Sequence, residues 1–297
     1  MKRTPLFRGT GTALVTPFDG RGEVDLGALA RLVKFQADGG VEAILPAGTT
    51  GEGATLTEAE QAIVIAAVRE RAPDRVKVIP GAGSNSTAKT VQLAKTAARA
   101  GADGLLVVGP YYNKPTQEGF YRHYAEVASA TPLPVIMYNV PGRTSSNMAA
   151  ATTLRLARDF PTINGIKEAS GNFDQIMEIL AGRPKGFAVW SGDDSITFPL
   201  MALGADGVVS VVSNEVPREF STMVRLCLRK KYDAALKIHN RLLPLMSANF
   251  IESNPIPVKA ALAMMGLIAE RYRLPLVPMG RENRKRFALI LKKLRLA

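Results

Sequence analysis

Eight short β-branched or apolar runs, each followed by a Gly-, Ser- or Thr-rich loop and then a helical pattern, restrict what this chain can fold into. They are Gly11 to Phe18, Val41 to Ala47, Val76 to Gly81, Gly104 to Gly109, Val135 to Val140, Ile163 to Ala169, Ala188 to Gly192 and Val208 to Ser213. Runs this continuously apolar belong to strands buried on both faces, and their alternation with helices implies a parallel sheet under a helical layer. Eight such units with no evident linker favour an α/β fold closed as a (β/α)8 TIM barrel, with an open doubly wound sheet as the alternative.

The helical stretches carry their own start and stop signals. In Thr57 to Arg71, Ala59, Ile63, Ala66 and Ala67 recur at helical spacing behind a Thr57-x-x-Glu60 capping box. Ala100-Gly-Ala-Asp-Gly-Leu-Leu-Val-Val and Leu203-Gly-Ala-Asp-Gly-Val-Val-Ser-Val repeat one design, in which Gly101 and Gly204 fit a helix C-cap before a buried strand. The eighth strand is expected to end near Asn214, which leaves 83 residues, more than one barrel helix needs. Helical patterns at Arg218 to Leu228, Tyr232 to Met246, Val258 to Ala269 and Arg281 to Leu296 predict extra C-terminal helices outside the barrel. The chain therefore divides into 1–215, the barrel strands with their intervening helices, and 216–297, the last barrel helix and a C-terminal extension of the same compact unit.

Composition removes several function classes. The 297 residues are 46% apolar and 22% charged, ordinary for a globular chain, and no apolar run reaches the roughly 20 residues of a membrane span. A soluble, cytoplasmic protein without a membrane partner is expected. The lone Cys227 excludes an internal disulfide and fits a small buried hydrophobe. The net charge of +12 is concentrated near the C-terminus, in Arg229-Lys230-Lys231 and from Arg281 to Arg295, as on a surface helix with a solvated basic face. With no Cys/His finger and no stacking platforms, it points to no nucleic-acid partner.

In such a barrel the active site forms at the C-terminal strand ends. Here these read Gly48-Thr-Thr-Gly-Glu52, Gly109-Pro-Tyr-Tyr-Asn113, Tyr138-Asn-Val-Pro-Gly-Arg-Thr144, Ile166-Lys-Glu-Ala-Ser170 and Ser191-Gly-Asp-Asp194. Lys167 ends an enclosed strand, where desolvation would lower its pKa and expose a nucleophilic amine. On spacing alone, a lysine that reaches solvent or pairs with Glu168 is the preferred reading. Tyr138 would neighbour Lys167 and could shuttle protons, or be a core tyrosine with a satisfied hydroxyl. Thr49 and Thr50 offer hydroxyls and backbone N–H groups to a carboxylate, or simply open a helix.

Gly83-Ser-Asn-Ser-Thr-Ala-Lys-Thr90 imitates a phosphate loop, but Ala88 replaces the glycine before the lysine, so a helix capped by Asn85 or Ser86 is expected. His123 and His239 each stand alone in a helical pattern, and no metal is expected. Asp193 and Asp194 could hold a divalent ion, but fit better as caps of the next helix.

Taken together, Gly48-Thr-Thr-Gly-Glu, Tyr138-Asn-Val-Pro-Gly-Arg-Thr and Gly165-Ile-Lys-Glu-Ala-Ser-Gly resemble the dihydrodipicolinate synthase and N-acetylneuraminate lyase family of class I aldolases, from about Gly9 to about Gly266. The resemblance outweighs the structural readings above and implies a homotetramer, a dimer of dimers, that needs no metal or organic cofactor. It makes Lys167 the lysine that holds pyruvate as a covalent imine. It also implies a proton relay from Tyr138 through Thr49 to Tyr112 of a neighbouring subunit. Thr50 would hold the pyruvate carboxylate, Arg143 would take the carboxylate of the second substrate, and Gly192 and Val209 would line the substrate site.

The synthase branch of that family condenses pyruvate with L-aspartate 4-semialdehyde to 4-hydroxy-tetrahydrodipicolinate in lysine and diaminopimelate biosynthesis, and this is the activity that the resemblance implies. A lyase of sugar acids or 2-oxo acids would share Lys167 and Tyr138, and a noncatalytic binding protein would not need the whole set. Lysine-sensitive relatives hold lysine at an interface beside the position of Tyr111, through an asparagine and a glutamate. Here Asn85 is kept, but Lys89 stands for the glutamate, and Glu58 and Gln61 replace histidines, so weak or absent lysine inhibition is expected.

Overall fold

The structure, a computed structural model, describes residues 3–297. Its eight strands are all parallel: β1 (Gly9–Ala13), β2 (Ala43–Leu45), β3 (Lys77–Val78), β4 (Leu105–Val108), β5 (Val135–Asn139), β6 (Ile163–Glu168), β7 (Ala188–Ser191) and β8 (Gly207–Ser210). Between and after them lie α1 (Leu26–Gly39), α2 (Glu58–Arg71), α3 (Thr87–Arg99), α4 (Gln117–Ser129), the single turn α5 (Pro141–Thr144), α6 (Ala150–Asp159), α7 (Phe173–Gly182), α8 (Thr197–Ala202), α9 (Pro217–Leu228), α10 (Tyr232–Ala248), α11 (Ile256–Met264) and α12 (Arg281–Lys293).

The sheet runs β3-β2-β1-β8-β7-β6-β5-β4. The bridge between Gly81 and Leu106, with Ala82 N–H donating to Leu106 O and Leu106 N–H to Pro80 O at 2.9 Å each, joins its two edges and closes the barrel. The expected TIM barrel with C-terminal helices is therefore correct, and the doubly wound alternative is not. Inside the barrel, Phe7 stacks on Trp190 with ring centroids 4.9 Å apart, among Leu45, Ile79, Ile136 and Val209. A separate apolar cluster on the outer side ties α9, α10, α11 and α12 together through Phe220, Leu242, Ala261 and Phe287.

Several local expectations hold. Thr57 and Glu60 form the reciprocal capping box. Ser86 caps α3 by accepting from Lys89 N–H, which makes the glycine-poor loop a plain helix start. Gly101 and Gly204 take left-handed φ values of +88° and +103°. Cys227 is buried, and burial pushes its thiol up to about 11.

The regular strands are shorter than the apolar runs, for local reasons. β1 gives way after Ala13 to a buried irregular segment in which Thr16 Oγ1 donates to Gly51 O at 2.6 Å. β8 stops at Ser210, because the N–H groups of Val211 and Val212 turn to the Asp194 carboxylate at 3.0 and 2.8 Å. The helical pattern expected to reach Ala269 ends at Met264, where Gly266 at φ +73° reverses the chain.

Candidate active site

β5 and β6 pair in register, which sets Tyr138 directly beside Lys167, and Lys167 in turn pairs with Trp190 of β7. Side chains alternate along a strand, so Lys167 and Glu168 face opposite ways. Glu168 faces the helical layer, where it accepts from Ser170 N–H at 2.7 Å, Gln175 Nε2 at 3.1 Å and Asn139 Nδ2 at 3.2 Å. This excludes the Lys167–Glu168 pairing left open by the sequence.

Lys167 is buried at the C-terminal end of the barrel, with Nζ 4.1 Å from the centroid of the Tyr138 ring. Burial pushes its pKa down to about 7; the Asp194 carboxylate acts against that shift and the Arg143 guanidinium with it. A substantial fraction of Lys167 is thus neutral near pH 7, as a nucleophilic amine must be. The Tyr138 phenol is also buried, which pushes its pKa up to about 12, with Arg143 acting in the opposite direction. It holds its proton at neutral pH.

Of the remaining sequence-chosen residues, Gly192, Val209 and Arg143 lie near this pair, whereas Thr50 and the Tyr112 loop are held by other contacts. Gly192 lies against the lysine stem: a β-carbon there would sit 3.1 Å from Lys167 Cε and 2.6 Å from the Ala169 β-carbon. Val209 is buried in the same barrel interior as Tyr138. Arg143, on α5, is exposed, and its Nη2 donates to Asn254 O at 3.5 Å. Thr49 is exposed and Thr50 buried, with Thr50 Oγ1 accepting from Asn254 Nδ2 at 3.0 Å. Asn254 thus links the threonine loop to Arg143. Tyr112 is 88% exposed at a left-handed φ of +73°, on a loop anchored by Asn113 Nδ2 donating to Asn85 O at 2.8 Å. No hydrogen bond joins Tyr138 to Thr49 or Tyr112 among the described residues.

Asp194 differs from its expected role. Neither carboxylate caps α8, whose N-cap Ile196 has no side-chain hydrogen bond: Asp193 accepts from Ser195 N–H at 2.8 Å ahead of the helix, and Asp194 crosses to the end of β8. There burial pushes its pKa up to about 6. Behind it, Glu215 accepts from Asn249 Nδ2 at 2.7 Å, and burial holds its carboxyl well above the usual carboxylate range. No three His, Cys, Asp or Glu side chains come together as a metal site among the described residues. His123 is a buried residue whose Nδ1 meets the Thr87 hydroxyl at 3.0 Å.

Sequence reasoning gave Asp194 another role and missed Asn254 and a buried ion pair between Glu52 and Lys259. Glu52 lies within the quoted threonine motif, but its partner is 207 residues away. Asn254 and Lys259 sit in Asn254-Pro-Ile-Pro-Val-Lys259, whose two prolines and single lysine within an apolar run were the available signal.

The chain is similar to known proteins over nearly its whole length. The 4-hydroxy-tetrahydrodipicolinate synthase of Chlorobium luteolum is 52% identical over 277 residues, 93% of this chain and 94% of that protein. The chloride-inhibited dihydrodipicolinate synthase of Acinetobacter baumannii, solved with pyruvate, superposes with a TM-score of 0.96 at 41% identity, covering 98% of this chain and 100% of that one. The enzyme of Cyanidioschyzon merolae, solved with lysine bound, also gives 0.96 at 41% identity, over 99% and 100% of the two chains. Residues 6–294 match the dihydrodipicolinate synthetase family, and the chain belongs to that family.

Proposed function

We propose that this protein condenses pyruvate with L-aspartate 4-semialdehyde to give 4-hydroxy-tetrahydrodipicolinate, a step of lysine and diaminopimelate biosynthesis carried out in the cytoplasm. The observation that carries this reading is the buried Lys167, its pKa lowered to about 7, beneath the Tyr138 ring. Its similarity to synthases of that name supports the choice of substrates.

Neutral Lys167 Nζ adds to the pyruvate ketone, and loss of water from the carbinolamine gives an iminium. Tyr138 supplies and recovers the protons of these steps, through Thr49 and Tyr112 of a second subunit. The Thr50 hydroxyl and the adjoining backbone hold the pyruvate carboxylate, with Gly192 and Val209 lining the site. The iminium draws electrons from the methyl carbon, which loses a proton to become an enamine. That carbon attacks the aldehyde, forming the new C–C bond and a hydroxyl, while Arg143 holds the carboxylate of the semialdehyde. The semialdehyde amine then attacks the imine carbon, closes the ring and releases Lys167 as a free amine. No metal or organic cofactor takes part, and the working form is a homotetramer in which Tyr112 crosses between subunits.

Borohydride reduction in the presence of pyruvate, followed by peptide mass spectrometry, tests the chemistry: the adduct is expected on Lys167 and absent from Lys167→Ala. Active enzyme with no adduct there would sink it. Rates with aspartate semialdehyde against a panel of other aldehydes and oxo sugar acids test the substrate.

A further inference from the structure

Glu52 and Lys259 form an ion pair with both side chains almost wholly out of water, at 1% and 0% exposure. The Lys259 ammonium lies 4.3 Å from the Phe18 ring centroid and 5.3 Å from that of Tyr272. The other Glu52 oxygen accepts from Arg273 N–H at 3.2 Å, and the Arg273 guanidinium binds Glu60 on α2 and the carbonyls of Gly22 and Thr55. Residues of the C-terminal extension thus hold the start of the second βα unit.

A buried ion pair adds little stability over a well-packed apolar pair, because desolvation offsets most of its attraction. What this pair does is restrict position. Glu52 is the last residue of Gly48-Thr-Thr-Gly-Glu and has a left-handed φ of +53°, which a side chain adopts only when its surroundings hold it there. Thr50, two residues earlier, is held by Asn254, and Gly51 by Thr16. Without Lys259 the Glu52 carboxylate would have to move toward water, and the threonine backbone would move with it. We propose that Lys259 is a positioning residue for pyruvate: its pairing with Glu52 fixes the Thr49–Thr50 loop where the pyruvate carboxylate is bound. This rests on the assignment of Thr50 to that carboxylate given above.

Two variants separate this role from stabilisation. Lys259→Met removes the ammonium, and Glu52→Met with Lys259→Met replaces the pair by apolar contact that preserves folding. Both are expected to raise the pyruvate KM, and the pyruvate concentration for half-maximal borohydride trapping at Lys167, by about ten- to a hundredfold. The KM for aspartate semialdehyde, which depends on Arg143, should stay within about twofold of the unaltered protein. A double variant that melts with the unaltered protein and traps pyruvate at the same concentrations would overturn the proposal, as would equal changes in both KM values. If Lys259→Met does not fold, Lys259→Gln keeps a donor for Glu52 and must show the same split at smaller size. Trapping in the unaltered protein comes first: its absence would refute the Schiff-base reading itself, whereas trapping that no variant alters refutes only the role of Lys259.

Discussion

The Lys167 amine lies over the face of the Tyr138 ring, 4.1 Å from its centroid, on the neighbouring strand at the same register. The ring therefore screens the amine from water, apart from any proton transfer by its hydroxyl. Tyr138→Phe should lower kcat by about 10²- to 10⁴-fold, the usual share of a general acid–base group, while pyruvate is still trapped on Lys167. Tyr138→Ala should in addition raise the Lys167 pKa, because the screen is gone. Equal pH profiles of trapping for the two variants would disprove the screening.

The rate of imine formation should rise with pH through about 7 and level off above it, since only the neutral amine adds to the ketone. Asp194 favours the ammonium, so Asp194→Asn should shift this rise to lower pH. Trapping rates from pH 5 to 9 decide the matter, and a shift to higher pH would contradict the electrostatics.

Arg143→Ala should reduce kcat/KM for aspartate semialdehyde by on the order of 10- to 100-fold, and leave the yield of pyruvate trapping nearly intact. The same variant removes a positive charge that depresses the Lys167 pKa, so its pH profile should move slightly upward. Loss of trapping comparable to the loss of turnover would place Arg143 at the pyruvate instead.

Tyr112 is nearly free of its own chain, so its contribution should be separable by mixing subunits. Tyr112→Phe and Lys167→Ala, each poorly active alone, should regain activity when unfolded and refolded together. For random pairing in dimers with one intact site per mixed pair, roughly a quarter of the unaltered activity is expected. No regain from well-assembled mixtures would mean that the tyrosine serves its own barrel.

Millimolar L-lysine should inhibit weakly or not at all. Lys89 is exposed in the first turn of α3, where it would repel a bound ammonium. Glu58, an acid that could substitute, is already engaged by Gln92 Nε2 and Thr96 Oγ1 at 2.5 Å each. Strong saturable inhibition in initial rates would refute this.

The barrel was legible because strands buried on both faces are continuous apolar runs, and Lys167 was singled out by the combined strand-end motifs, its place at the end of one run leaving a solvated or paired lysine the preferred reading. The ends of those runs were less legible. Val211 and Val212 look like strand residues, yet their N–H groups serve Asp194, which no local pattern shows. Lys167 and Glu168 were ambiguous as neighbours until strand alternation and the Asn139, Ser170 and Gln175 contacts separated them. Asn254 and Lys259 stayed hidden for another reason: their partners in the threonine loop are 204 and 207 residues distant, and tertiary pairs of that span leave no periodic trace.

The two-residue β3 and the single bridge from Gly81, beyond it, to Leu106 of β4 give the cylinder a seam. By contrast, β5 and β6 pair at five positions, and β1 and β8 and β4 and β5 at four each. Amide protons at Ala82 and Leu106 should accordingly exchange with solvent before those of β5 and β6, in the manner of a hoop whose clasp loosens before its band. The threonine loop packs on one side of that clasp, through Ala47 and Gly48 against Gly81, and the tyrosine loop leaves β4 on the other. Local breathing of the ring thus changes the spacing of these two loops before it disturbs the strands that carry Lys167 and Tyr138.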